Sequence, residues 1–321
     1  MATLANTTSI PKTKSNFRLQ SIWLRIGRNW QLYLMLLLPI IYLIVFKYAP
    51  MYGAQIAFKK YSVVQGIWGS PWVGFDQFER FINSPKFYPV VMNTIIISFY
   101  SLIAGFPLPI ILALSLNQVR QRFFKGAVQM ITYAPHFIST VVLVGIMFQF
   151  LHPRVGFTAV LANMIGADPP NWMGSSAAFR HVFVWSGVWQ HLGFQSIIYL
   201  AVLATIDPTL HEAAVVDGAN KLQRMWFIDI PGLLPTAVVL LVLNTGQVLD
   251  VAFEKVYLMQ NTLNLNVSEV INTYVYRVGL LSPVLDFSYA SAIGLMKAVI
   301  GLLLIFTVNR IANRLTGHGV W

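Results

Sequence analysis

The sequence predicts an all-α, polytopic membrane protein with six transmembrane helices, and three observations predict it. Of 321 residues, 56% are hydrophobic and only 10% charged, against about 25% charged in a soluble domain. Six long apolar stretches recur along the chain, each approaching the roughly 20 residues that a membrane-crossing helix needs. The polar segments between them carry Gly, Pro and interfacial Trp and Tyr, which punctuate membrane spans. There are no cysteines, so disulfides, thiolate metal sites and cysteine nucleophiles are excluded. The net charge of +11 suits anionic lipid, an acidic partner or an acidic substrate.

Residues 1–31 form a basic N-terminal segment. Met1–Asn16 is polar, with Lys12 and Lys14, and lacks the layout of a cleaved signal. Phe17–Trp30 mixes Arg18, Arg25 and Arg28 with Leu19, Ile22, Trp23, Leu24 and Ile26, the pattern of a basic amphipathic helix on a membrane surface. Residues 32–309 form the transmembrane domain. Its first span is Leu32–Phe46, anchored by Trp30 and Tyr48, with Pro39 as a kink site. A long aromatic-rich outer loop occupies residues 49–92. Thr94–Leu116 is the second span; its Pro107 and Pro109 are tolerable where neighbours satisfy the freed carbonyls. Arg120, Arg122 and Lys125 form a basic turn. Val128–Leu151 is the third span, interrupted at Pro135 and His136, and Val182–Thr205 the fourth. Leu234–Ala252 is the fifth and Ser288–Asn309 the sixth, with residues 310–321 as a tail. Outer loops fill His152–His181 and Phe253–Phe287.

The most polar interruption of the second half is residues 207–235. Asp207 can cap a helix and Pro208 suits its first position. That helix can run to Asp217, where Gly218 supplies a stop, and a second short helix follows until Pro231 breaks it. Ala213 and Ala214 leave the first helix thin on one flank, the shape of a peg that enters a groove. An amphipathic helix lying on the membrane is the plainer alternative. With six spans, Lys12, Lys14, Arg18, Arg25, Arg28, Arg120, Arg122, Lys125, Lys221, Arg224, Arg310 and Arg314 share one side, which the positive-inside rule makes cytoplasmic. Both termini and Glu212 then face the cytoplasm.

The motif Glu212-Ala213-Ala214, Asp217-Gly218-Ala219, Ile228, Ile230-Pro231 and Pro235 resembles the EAA loop of ABC-importer permeases. Met225 stands where that family usually has Phe, and Ile230 where it has Leu. Gly69-Ser-Pro-Trp-Val-Gly-Phe-Asp-Gln-Phe-Glu-Arg-Phe81, Ala134-Pro-His-Phe-Ile-Ser139, Gly193-Phe194, Tyr199-Leu-Ala201, Thr273-Tyr-Val-Tyr-Arg277 and the closing Trp321 resemble the LplB-like group of oligo- and polysaccharide permeases. The resemblance implies a type I permease of the bacterial inner membrane, in which Glu212, Ala213, Ala214, Asp217, Gly218 and Pro231 serve a coupling helix on an ATPase. It implies a heterodimer with a second permease, two ATPase subunits, an outer solute-binding protein, membrane lipid and a saccharide cargo, with acidic glycans such as alginate in that class. Nucleic acid is not among the expected partners.

No Gly-x-x-x-x-Gly-Lys-Ser/Thr loop occurs, so no bound cofactor is expected; ATP and Mg²⁺ belong to the partner ATPase. No His-Glu-x-x-His cluster or Gly-x-Ser-x-Gly elbow occurs either, and the six histidines are scattered. Catalytic and metal residues are therefore none. Candidate pathway residues are the polar ones inside spans. Asn244, Gln247 and Asp250 are spaced three apart, along one side of a helix, where they would line a saccharide path or bond another helix. Trp185, Trp189, Gln190 and Gln195 offer stacking faces and amides, or headgroup anchors. Lys297, deep in the sixth span, either meets an anionic substrate or needs a carboxylate or carbonyl partner. Arg277 and Lys255 lie in the third outer loop, open to a binding protein, an acidic glycan or plain solvent. Two rival classes remain: an autonomous secondary transporter or channel for a small solute, and a membrane enzyme using Asp250 and Glu254.

Overall fold

The computed structural model describes residues 27–317 and Gly319. Most of the surface helix expected at Phe17–Trp30 lies outside the described residues, as do His318 and Trp321. The chain divides into two units, Met1–Gln55 and Ile56–Trp321. The first unit contains most of helix α1 (Trp30–Phe58), whose most apolar 18-residue window has a mean hydropathy of 2.1, which suits a membrane span. Pro39 sits inside it without ending it, and a π-turn follows at Ile44–Tyr48. The span is longer than the apolar run alone predicts.

The second unit holds the remaining helices. A short α2 (Asp76–Ile82) lies within the expected outer loop. Then come α3 (Phe87–Asn117) and the pair α4 (Arg122–Phe137) and α5 (Thr140–Phe150), which meet at a bend of 102°. After α6 (Phe157–Met164), α7 (Ser176–Leu203) and α8 (Pro208–Val216) meet at 74°. The chain continues through α9 (Lys221–Gly246), α10 (Phe253–Met259), α11 (Ile271–Tyr276) and α12 (Phe287–Thr316). Counting α1, four of the described helices are long and apolar enough to cross a membrane, or up to six spans if each bent pair counts as one. Helices dominate because a backbone in lipid must satisfy its own hydrogen bonds; among the described residues the only bridge between extended segments pairs Lys59 with Trp72.

Three buried clusters hold the second unit. Ile97, Leu143, Met147, Phe179, Phe183, Val256, Met259 and Val270 join α3, α5, α7 and α10. Phe81, Val90, Ile271, Tyr274, Tyr289 and Ile293 join α2, α3, α11 and α12. Ala113, Leu114, Tyr199, Leu203, Leu233 and Ala237 join α3, α7 and α9. At Gly193 of α7 an added Cβ would fall on the Thr132 carbonyl, so the close approach of α7 to α4 requires glycine.

The interruption expected in the third span at Pro135 and His136 is present as a sharp bend: Ile138 and Ser139 adopt extended backbone after Pro135, and Ser139 caps a new helix that leaves at a steep angle. Three expectations need correction. Pro231 does not break the helix before α9. A π-turn at Met225–Asp229 precedes it, and Pro231 sits in the first turn of the following α-helical segment, where its missing N–H is least costly. The fifth span ends at Gly246, so Gln247 and Asp250 lie in a turn beyond it, and the three polar residues do not share a helix face. Finally, Phe253–Phe287 is not a solvated loop, since Val256, Met259, Val270 and Lys255 within it are buried.

Candidate functional site

Two places carry polar chemistry. The first is the sharp corner around α8. Asp207 caps α8 by accepting the Thr209 N–H at 2.9 Å, and that hydrogen bond holds its carboxyl below the usual carboxylate range. At the other end Gly218 takes a φ of +79°. The Gly218 N–H reaches the Val215 carbonyl at 3.1 Å and the Ala219 N–H reaches Ala214 at 2.8 Å, the paired bonds of a Schellman stop. A capping box between Asn220 and Gln223 then starts α9. None of α8 is buried; Glu212, Ala213 and Asp217 are exposed, and the apolar Leu210, Val215, Val216, Leu222, Trp226 and Phe227 are exposed around them.

A contact the sequence does not announce pins this corner. Asp229, fully buried in the π-turn of α9, faces His211 of α8, whose Nε2 is 3.3 Å from its carboxylate. Gln118, just past α3, donates to the same carboxylate at 3.2 Å. The two residues lie too far apart along the chain for spacing to reveal the pair.

The second place is a cavity of about 280 Å³ in the second unit. Ser98 and Ser101 of α3, His191 and Gln195 of α7, Asn244 at the end of α9, Gln247 and Asp250 in the turn, and Lys255 of α10 line it. The structure thus brings Asn244, Gln247 and Asp250 to one cavity despite the broken helix. Asp250 is held by Asn272 at 2.8 Å and by Lys297 at 3.1 Å, and Lys297 also donates to Asn272 at 2.8 Å. Lys297 therefore has the carboxylate partner that its depth demands. Of the fourth-span candidates Gln195 lines the cavity, while Trp185, Trp189 and Gln190 lie apart from its lining, as does Lys297. Gln190 is buried and donates to the Ile138 carbonyl at 2.8 Å, which satisfies the acceptor freed by the break between α4 and α5. Trp185 and Trp189 are half exposed, and Trp185 donates to the Tyr100 hydroxyl at 2.8 Å. Arg277 pairs with Glu269, a carboxylate that Lys86 also approaches at 3.5 Å.

A chain of bent membrane helices with an unburied, firmly capped helix between two of them, and a polar cavity among the spans, is built as a membrane permease component. Residues 105–317 match the family described as the binding-protein-dependent transport system inner membrane component, and the chain belongs to that family. It is a permease subunit of an ABC transporter rather than an enzyme. Protein LplB of Bacillus subtilis (strain 168) is 40% identical over 294 residues, covering 92% of both chains. The polygalacturonan/rhamnogalacturonan transport system permease protein YteP of the same organism is 41% identical over 290 residues, covering 90% of both. A crystal structure of a bacterial ABC transporter involved in the import of the acidic polysaccharide alginate contains a chain with TM-score 0.85 and 38% identity, covering 92% of this chain and 99% of that one. A second, of a bacterial alginate transporter in complex with an alginate pentasaccharide-bound periplasmic protein, matches with the same score and identity over 93% and 99%.

Proposed function

We propose that this permease moves an acidic oligo- or polysaccharide, of the alginate or polygalacturonan kind, into the cytoplasm by alternating access. ATP and Mg²⁺ act on two partner ATPase subunits, a second permease completes the pathway, and an outer solute-binding protein delivers the cargo. Both termini and α8 face the cytoplasm. One observation carries the reading: α8 is capped at both ends yet has no buried residue, so its fixed geometry and exposed apolar rim suit a cleft on another protein. Glu212 and Asp217 would meet basic groups there, Ala213 and Ala214 admit close approach, and Gly218 and Pro231 set the turn. The relatives that import alginate or polygalacturonan support the acidic cargo.

The path from energy to cargo runs through α9. The His211–Asp229 contact ties α8 to its first turns, and Asn244 at its far end lines the cavity. About 15 residues separate Asp229 from Asn244, roughly 22 Å at 1.5 Å per residue. A rigid helix of that length transmits tilting of the corner to the cavity, provided both ends have two arrangements to choose between. The test is to purify the tagged chain from its native membranes and to measure ATP hydrolysis with acidic and neutral oligosaccharides. An ATPase and a second permease should accompany it, with hydrolysis stimulated by the acidic series; stimulation by neutral sugars alone would overturn the cargo.

A further inference from the structure

We infer that the Lys255 ammonium is the carboxylate-recognising group of the cavity, the element that makes this permease select uronate-bearing sugars over neutral ones. The inference rests on the saccharide reading above and deepens it. Lys255 is 5% exposed, yet it lines the cavity. Its Nζ donates to the Phe183 carbonyl at 3.0 Å and stands 4.9 Å above the centre of the Phe183 ring. Among the described residues no carboxylate pairs with it. Asp250 shares the cavity but is engaged by Lys297 and Asn272. An ammonium needs three acceptors, and a carbonyl and a ring face leave Lys255 short of an anion.

The cost of such a residue makes the point. A buried charge is normally paired, because leaving water without a partner is expensive. Burial pulls the Lys255 ammonium down to about 8, and near neutral pH it still carries its proton. A buried cation without a carboxylate partner among the described residues gives up stability, the trade expected at a binding site. The surroundings are those of a sugar subsite. Ser98, Ser101, Gln195, Asn244 and Gln247 offer hydroxyls and amides that both donate and accept. Gly187, facing Lys255, keeps the way open, since a Cβ there would lie 3.3 Å from Nζ. At about 280 Å³ the cavity is just below the roughly 300–1,000 Å³ of drug-sized ligand pockets, so it takes one ring of a passing chain rather than an oligomer. A uronate at that ring would place its carboxylate on Lys255 as a charge-assisted pair.

The experiment uses the full permease–ATPase assembly in vesicles with the loaded solute-binding protein. The probes are alginate pentasaccharide and the same pentasaccharide with its carboxyls reduced to alcohols. The readout is the ratio of ATP hydrolysis stimulated by the acidic over the reduced probe. Lys255→Met should lower that ratio about tenfold, the loss of one charged hydrogen bond, while Lys255→Arg keeps it. Because Met removes an unpaired buried charge, thermal stability should hold or rise, which a merely structural lysine would not allow. A second variant exploits the absence of cysteine: Lys255→Cys should lose the preference, regain it when the thiol is aminoethylated, and not regain it when ethylated. An unchanged ratio in Lys255→Met, or equal rescue by both reagents, overturns the assignment while leaving the acidic-cargo reading intact. If the wild-type assembly ignores the acidic probe, that reading fails and the inference with it.

Discussion

Asp229 stands fully buried against one histidine and one amide, and in the proposed function that contact ties the corner to the spans. Asp229→Ala would remove the carboxylate that accepts from Gln118 and faces His211, a loss of about 1–3 kcal/mol. Uptake should fall about tenfold while basal ATP hydrolysis by the assembly continues, measured as sugar moved per ATP consumed. Uptake and hydrolysis falling in parallel would instead make the contact a matter of folding. The same scale shows why some residues are legible and others not. Asp207, Pro208 and Gly218 announce their roles because caps and stops depend on neighbours along the chain. His211 with Asp229, and Lys297 with Asp250, are pairs made by packing, and residue spacing carries no trace of them. Lys255 reads as a loop charge until α10 is seen to fold into the core.

Among elements, apolar runs and prolines place the long helices and two of their breaks but not the form those breaks take. The turn at Ile138–Ser139 depends on Gln190 reaching a carbonyl from another helix, and the continuity of α9 past Pro231 depends on a π-turn; both are tertiary or fine backbone features. Two predictions belong here. Gly218 has open space around it but a φ of +79°, so Gly218→Ala meets only the backbone penalty of about 1–2 kcal/mol. Gly218→Pro, whose ring fixes a negative φ, should reach the membrane in normal amount yet support no uptake, read by membrane fractionation beside a transport assay. Normal transport in that variant would sink the coupling role of α8. Gly193→Val should act differently, forcing α7 from the Thr132 carbonyl at a cost of about 1–3 kcal/mol. Its signature is a lowered melting temperature in detergent, and an unchanged one would contradict the close packing of α4 on α7.

The whole molecule is a set of membrane helices that lacks an engine of its own. Composition makes the membrane class plain, since 10% charge cannot clothe a soluble domain of this size, and in the proposed function force enters at the coupling motif. The cavity was legible only in part: Asn244, Gln247 and Asp250 meet there for a different reason from the helix face their spacing suggests. The claim at this scale is that an ATPase drives the chain through α8. The most direct measurement is uptake of an acidic oligosaccharide into vesicles holding this chain, with ATP supplied on the α8 side, in the presence and absence of the co-purified ATPase. The account predicts uptake only when ATPase and ATP are both present. Uptake by the chain alone would contradict it and return attention to Asp250, Glu254 and Lys297 as an autonomous ion-coupled site.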